Sequence, residues 1–279
     1  MTIATIAPAS SGVVPRPFLK WAGGKGKLIE QYSPYFPKRY RTYYEPFLGG
    51  GAIFFHLRPS RAVLMDINPE LVNVYCCIRD SVEAVIALLQ RHQQRHNRDY
   101  YYHLRSTQLD DPIERAARLI YLNKTCFNGL YRENSKGEFN VPMGSYKNPA
   151  ICCPELLRAA SKALKTTEIY KQPFEAILEF AKSADDFVYF DPPYHPISAT
   201  SNFTGYNRYA FSAEDQQRLR DTVVLLAQRN VQVLVSNSDC AFIRDLYRGF
   251  TIYTMSASRA INSKGDRRGK INELLITVP

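Results

Sequence analysis

The chain has 279 residues, 45% of them hydrophobic, which suffices for one substantial core or for one core with a smaller inserted domain. The formal net charge is +10, and residues 16–41 and 259–270 together hold this whole excess. Clustered positive charge favours a polyanionic partner such as nucleic acid, with a solubilising surface as the alternative. No apolar run approaches about 20 residues, so we expect no membrane-spanning helix.

Residues 1–17 are small and proline-bearing, and we interpret them as a flexible N-terminal extension. They lack the basic start and the apolar block of a secretory signal, which favours a cytoplasmic protein. The six cysteines include no Cys-x-x-Cys pair, so we expect free thiols and no bound metal.

Five short apolar runs rich in β-branched and aromatic residues predict buried strands. In chain order they are 43–44, 62–65, 187–190, 231–235 and 274–278. Helical patterns lie between them and are clearest over 82–95 and 213–228. This alternation predicts an α/β fold whose sheet is covered on both faces.

The segment 99–170 has a different character, with few strand signals and many aromatic and polar residues. Its clearest element is a helical pattern over 115–123. We interpret 99–170 as an inserted domain and assign 18–98 and 171–279 to the main domain.

Polar or glycine-rich residues follow four of the predicted strands. Glu45 precedes a glycine cluster, Asp66 and Asp191 each follow a strand directly, and Ser236 and Asn237 follow another. Ligands of open α/β sheets bind beyond the carboxyl ends of the strands. These residues therefore predict one composite site.

The sequence Asp191-Pro192-Pro193-Tyr194 suits chemistry on an amine attached to an aromatic ring. Such an amine is a poor nucleophile because its lone pair is delocalised. The Asp191 carboxylate and the Pro192 carbonyl can accept its protons and so direct the lone pair at an electrophile. The Tyr194 ring offers a stacking face for an extruded base. The alternative is a tight turn that ends a strand.

The glycine-rich run 45–52 predicts a ligand-binding turn before a helix. Gly49 and Gly51 allow backbone to approach a ligand, and Asp66 can bind both hydroxyls of a ribose. The alternative for Asp66 is a helix N-cap before Pro69. Phe54 occupies the third position of a dinucleotide fingerprint, which argues against a nicotinamide oxidoreductase.

The motifs at 18–25, 46–51 and 191–194, in this order and with an insertion before the last, resemble the α group of DNA adenine methyltransferases, and within it the Dam-type enzymes. The resemblance covers the chain from about residue 18 to the end. It implies a Rossmann-like S-adenosylmethionine-dependent methyltransferase sheet with an inserted, mainly helical target-recognition domain at 99–170.

The resemblance also implies the site residues. The catalytic turn would be Asp191, Pro192, Pro193 and Tyr194. The residues that it places at the S-adenosylmethionine site are Trp21, Lys25, Phe47, Gly49, Gly51, Ala52, Asp66, Phe174 and Asp191. Without it, Trp21 would be assigned to the core.

The insertion contains Asn-Gly-Leu-x-Arg-x-Asn at 128–134 and Gly-Glu-Phe-Asn-Val-Pro at 137–142. It resembles the Dam-type recognition region, which implies double-stranded DNA as partner and GATC as target. By this correspondence Leu130, Arg132 and Pro142 contact bases, Lys20 reads the flanking guanine, and Phe127 takes the place of the flipped adenine. The full set of expected DNA-binding residues is Lys20, Phe127, Asn128, Leu130, Arg132, Asn134, Pro142, Arg259 and Arg267.

Physical chemistry agrees with two of these roles. An arginine fork matches the guanine acceptors of the major groove, and an aromatic wedge offsets the loss of base stacking. The alternative for Arg132 is a surface salt bridge with Glu133 or Glu138. Arg259 and Arg267 lie in the second basic segment, which we expect to contact phosphates.

We therefore predict a monomeric, cytoplasmic and nucleoid-associated enzyme that methylates adenine N6 in GATC. One alternative is transfer to another amine, such as cytosine N4 or a protein glutamine. Another is a non-catalytic DNA-binding relative. The sequence leaves open a role in replication, mismatch repair or restriction–modification.

Overall fold

The computed structural model describes residues 12–197, 211–258 and 270–278. Its seven strands are β1 Thr42–Glu45, β2 Ala62–Asp66, β3 Thr167–Lys171, β4 Asp186–Phe190, β5 Gln232–Ser238, β6 Thr251–Ser258 and β7 Lys270–Thr277. They form one sheet in the order β3-β2-β1-β4-β5-β7-β6. The first five are parallel, whereas β7 pairs antiparallel with both β5 and β6. The predicted Rossmann-like α/β fold is confirmed.

The α-helices of the described residues cover both faces of this sheet. They are α1 Ile29–Tyr32, α2 Ala52–Leu57, α3 Pro69–Asp80, α4 Val82–Gln94, α5 Arg98–Ser106, α6 Pro112–Thr125, α7 Pro154–Leu164, α8 Ile177–Phe180, α9 Ala213–Gln228 and α10 Ala241–Leu246. Phe187 and Tyr189 of β4 pack in one core with α3, α4, α6 and α7. Val188 and Phe190 pack in the other, with α8, α9 and α10. This separation follows from the alternation of side chains along a strand.

All five predicted strands and the predicted helices over 82–95, 115–123 and 213–228 are present. The sequence interpretation missed β3 and β6, which are the two edges of the sheet. Thr167 is the one buried residue of β3, and Met255 is the one buried residue among positions 251–256 of β6. Neither strand contains a continuous apolar run, because an edge strand is covered less completely than a central one. β3 begins within the segment 99–170 and pairs with β2, so the sheet extends across that predicted boundary.

Helix α6 of the predicted insertion packs against α3 and α4 of the main domain. After α6 the chain folds back on itself, with antiparallel bridges between Cys126 and Met143 and between Glu133 and Phe139. No helix among the described residues is long and apolar enough to cross a membrane.

The sheet order reverses between β1 and β4, since β2 and β3 extend to one side and β5 to the other. Parallel strands end on the same side of a sheet, and the crevice at such a reversal is where open α/β folds bind ligands. The expected composite site therefore lies at the carboxyl ends of β1, β2 and β4.

Candidate active site

A cavity of about 1010 Å³ opens at the carboxyl ends of these strands. Its walls gather fourteen of the predicted site residues: Lys20, Trp21, Lys25, Phe47, Gly49, Gly51, Ala52, Asp66, Leu130, Phe174, Asp191, Pro192, Pro193 and Tyr194. All the residues expected at the catalytic turn or at the cofactor are in this set. Their individual roles stay predictions.

Asp191, directly after β4, is held by two donors on the same oxygen. The Lys25 ammonium lies 2.7 Å from Asp191 Oδ1, and the Ser236 hydroxyl donates to that atom at 2.8 Å. The Lys25 side chain is 3% exposed and that of Asp191 is 22% exposed. Among the described residues none donates a hydrogen bond to Oδ2. The carboxylate is thus fixed in orientation while one oxygen can accept from a substrate.

The backbone of the Asp-Pro-Pro-Tyr turn is anchored from α9 and β5. The buried side chain of Gln216 donates to the Pro193 carbonyl at 2.9 Å and accepts from Asn237 Nδ2 at 2.9 Å. Asn237 Oδ1 in turn accepts from the N–H of His195 at 3.3 Å. No described residue donates to the Pro192 carbonyl. This carbonyl is therefore available to a substrate amine.

The glycine-rich turn takes a left-handed backbone that requires glycine. Gly49 has φ of 48° and Gly51 has φ of 64°, and Gly51 is the N-cap of α2. A Cβ on Gly49 would lie 3.0 Å from the Trp21 ring. Asp66 Oδ2 accepts the Gly49 N–H at 3.1 Å. The turn is thus packed on one side by Trp21 and fixed on the other by Asp66.

Asp66 is not the N-cap of α3, contrary to the alternative considered from sequence. That position belongs to Asn68, whose side chain accepts from the N–H groups of Glu70 and Leu71. Asp66 Oδ1 accepts the Asn68 N–H at 2.9 Å. Burial raises the pKa of Asp66, and these backbone bonds oppose that effect. Asp66 thus presents a carboxylate edge to the cavity from an ordered turn.

Three aromatic rings form one wall of the cavity. Phe47 stacks on Phe174 with ring centroids 5.4 Å apart. Phe211 lies edge-on to Phe47 at 5.6 Å and packs against Phe174 at 5.8 Å. Such a wall suits a purine ring. The sequence interpretation included Phe47 and Phe174 but not Phe211.

Glu45 is a buried cavity residue that the sequence interpretation left without a role. Its carboxylate accepts a hydrogen bond from the Tyr43 hydroxyl at 2.9 Å. Burial and, to a smaller extent, the nearby Asp191 raise the pKa of Glu45, whereas the Tyr43 hydrogen bond and Lys25 lower it, and the net pKa is about 8. Its position after a predicted strand places Glu45 at the predicted composite site, without assigning it a role.

This burial predicts a pH-dependent stability that Glu45→Gln should remove. Folding favours the protonated carboxyl, so its contribution is complete below the ordinary pKa of 4.5 and is lost as pH rises towards about 8. We expect the wild-type Tm to fall from pH 5 to pH 8 relative to that of Glu45→Gln, which keeps an acceptor for Tyr43. Parallel Tm profiles for the two proteins would contradict this prediction.

Trp21 joins the glycine turn to the predicted insertion. Its ring stacks on Tyr131 with centroids 5.2 Å apart and an interplanar angle of 29°. The backbone N–H of Lys20 donates to Asn123 Oδ1 at 2.8 Å, and the Lys20 carbonyl accepts from Asn123 Nδ2 at 2.7 Å. Lys20 and Trp21 thus each line the cavity and also contact the predicted insertion.

Trp21 is the only tryptophan, so its fluorescence should report occupation of the cavity. We expect a saturable change in emission on titration with S-adenosylhomocysteine, because the ring lies on the cavity wall. The measurement is a fluorescence titration checked by calorimetry. Trp21→Phe should abolish the signal. Calorimetric binding without any change in wild-type emission would contradict the prediction.

The remaining expected DNA-binding residues of the insertion lie outside the cavity. Phe127 is 51% exposed, and its N–H donates to the Pro142 carbonyl at 2.9 Å. Asn128 is exposed and has φ of 54°. The Asn134 side chain is used within a turn, where it accepts from the N–H groups of Lys136 and Glu138. Phe127 and Asn128 are thus exposed directly before Gly129, which packs closely against the Lys20 side chain.

Arg132 does not form the salt bridge considered as its alternative. Its Nε donates to Asn140 Oδ1 at 2.7 Å. Glu133 instead accepts from Tyr131, and Glu138 accepts from Asn134. The exposed guanidinium therefore keeps donors available to a partner. Arg259 and Arg267 lie outside the described residues.

A Rossmann-like sheet with an Asp-Pro-Pro-Tyr turn beside a glycine-walled cavity is the arrangement of an amine-directed methyltransferase. Comparison with known proteins agrees. A family model described as D12 class N6 adenine-specific DNA methyltransferase matches residues 21–261. The chain belongs to this family of adenine-specific DNA methyltransferases.

Curated relatives match over nearly their whole length. The Type II methyltransferase M1.LlaDCHI of Lactococcus lactis subsp. cremoris is 44% identical over 270 residues, which cover 94% of this chain and 95% of the relative. The Type II methyltransferase M.MjaIII of Methanocaldococcus jannaschii is 41% identical, with 94% and 98% covered. The DNA adenine methylase of Escherichia coli K12 is 37% identical, with 93% and 94% covered.

Proposed function

We propose that this DNA adenine methyltransferase takes its methyl group from S-adenosylmethionine and transfers it to the adenine of GATC. The observation that carries the chemistry is Asp191, a residue of the cavity wall whose Oδ1 is held by Lys25 and Ser236, while no described residue donates to its Oδ2. The choice of GATC is supported by the Dam-type pattern at 128–134 and by relatives named DNA adenine methylase.

The cavity suits S-adenosylmethionine in three respects. The left-handed glycine turn lets backbone approach a ligand, the carboxylate edge of Asp66 can accept ribose hydroxyls, and the stacked rings of Phe47 and Phe174 can hold a purine. When bound, this cofactor supplies a methyl group on a positively charged sulfur, which leaves as a neutral thioether.

The protein's part is to orient the adenine amine. Asp191 Oδ2 and the Pro192 carbonyl accept its two hydrogens, which directs the nitrogen lone pair at the methyl carbon. After transfer the nitrogen would lose one proton, which Asp191 or water would accept. The Tyr194 ring stacks on the extruded base. Orientation of two reactants in one cavity supplies most of the acceleration.

The test is methyl transfer from labelled S-adenosylmethionine onto unmethylated duplexes that contain GATC or a permutation of it. Nucleoside mass spectrometry then identifies the product. N6-methyladenine on the GATC duplex alone is expected. Label on both duplexes would overturn the target sequence and keep the chemistry. N4-methylcytosine would overturn the choice of adenine, and no label with cofactor bound would overturn both.

A further inference from the structure

The hydroxyl of Tyr194 is bound by a residue outside the Asp-Pro-Pro-Tyr turn. It donates to Glu273 Oε2 at 2.7 Å. Glu273 lies on β7, opposite Ser238 of β5 and Met255 of β6, and it is not among the residues that line the cavity. The Glu273 carboxylate therefore connects the antiparallel strand β7 to the catalytic turn.

A second tyrosine shares this carboxylate. The Tyr32 hydroxyl, fully buried at the end of α1, donates to Glu273 Oε2 at 3.3 Å. Burial raises the pKa of both Tyr32 and Tyr194, and nearby carboxylates add to the rise. Both hydroxyls thus stay protonated and act as donors, so a single acceptor fixes two rings.

Two further contacts constrain Tyr194, one at a face of its ring and one at the adjacent backbone. The Lys25 ammonium lies 4.7 Å from the centroid of its ring, and the next N–H, that of His195, donates to Asn237. The ring is therefore held through its backbone, one face and its hydroxyl. The hydroxyl contact with Glu273 can be removed without changing a residue that lines the cavity, whereas the contact with Lys25 cannot.

We propose that Glu273 is a positioning residue that fixes the plane of the Tyr194 ring for stacking on the extruded base. The inference rests on the proposed function, because it assigns the ring to a flipped adenine. A stacking face that tilts displaces the amine relative to Asp191, and a displacement of about 1 Å can cost about 100-fold in rate.

A double-mutant cycle tests this role. Glu273→Ala should lower the single-turnover rate by about 10- to 100-fold with little change in cofactor affinity. Glu273→Gln, which keeps an acceptor oxygen, should recover most of the loss. In a Tyr194→Phe background, Glu273→Ala should have little further effect, because the hydroxyl that it orients is gone. The fluorescence of 2-aminopurine at the target position should change in the same pattern.

The chain offers a matched control on β3, an edge strand of the sheet. The Tyr170 hydroxyl donates to the Glu168 carboxylate at 2.7 Å on β3, and neither residue lines the cavity. Glu168→Ala removes the same kind of bond and should leave the rate unchanged.

The outcomes separate the two proposals. If Glu273→Ala lowers the rate by the same factor in the wild-type and Tyr194→Phe backgrounds, Glu273 acts through the fold and not through Tyr194. That result would overturn the inference and leave the proposed function standing. So would equal losses in Glu273→Ala and Glu168→Ala. A wild-type enzyme that neither extrudes nor methylates the target base would overturn the proposed function and the inference with it.

Discussion

Asp191→Asn should abolish most methyl transfer while leaving the protein folded and able to bind its cofactor. We expect the single-turnover rate to fall by about 10²- to 10⁴-fold, the range that removal of a positioned proton acceptor produces. The reason lies in the two donors on Oδ1. The amide oxygen will face Lys25 and Ser236, which places the amide NH₂ where Oδ2 stood. A donor then faces the adenine amine in place of an acceptor.

The measurement is the transfer rate at saturating DNA and cofactor, with Tm and the Trp21 titration beside it. Asp185→Asn is the matched control, since Asp185 is exposed and precedes the same strand, β4, at its opposite end. Asp191→Ala is a poorer test, because it leaves the buried Lys25 ammonium unpaired at a cost of about 3–5 kcal/mol. A rate for Asp191→Asn within tenfold of wild type, on the order of 1.4 kcal/mol, would contradict the assigned role.

Arg132→Ala should relax the choice of target sequence without affecting the cofactor site. Loss of a bidentate contact to guanine removes about 1–3 kcal/mol of discrimination, or about 5- to 150-fold in kcat/KM at one base pair. The guanidinium is exposed and contacts Asn140 through Nε and Nη2, while Nη1 has no acceptor among the described residues. We therefore expect a large loss on GATC and a small one on duplexes changed at the base pair that Arg132 reads.

Arg132→Lys distinguishes a role of Arg132 in contacting a base from a role of its positive charge alone. Lysine keeps the positive charge and loses the planar fork, so discrimination should fall while the salt dependence of DNA binding stays the same. The measurement is kcat/KM on GATC and on each singly substituted duplex at two salt concentrations. Lys136→Ala, at an exposed lysine of the same segment of the predicted insertion, is the control. Equal losses on all duplexes would assign Arg132 to a phosphate.

The sequence alone determined the central strands, the three longest helices and fourteen residues of the cavity wall. These features leave local patterns, because a buried strand needs an apolar run and a left-handed turn needs glycine. Asp66 and Asp191 could be placed together because both follow parallel strands, whose ends meet at one edge of the sheet. The family could be predicted because its motifs are local and ordered.

Only the tertiary structure decided which side chains meet across the sheet. Ser236 contacts Asp191 from 45 residues away, and Glu273 contacts Tyr194 from 79 residues away. The first contact depends on the pairing of β4 with β5, and the second depends on the position and register of β7 between β5 and β6. No local pattern records either pairing. The edge strands β3 and β6 escaped prediction for a related reason. Their incomplete burial permits polar residues, so only their pairing with a neighbour defines them as strands.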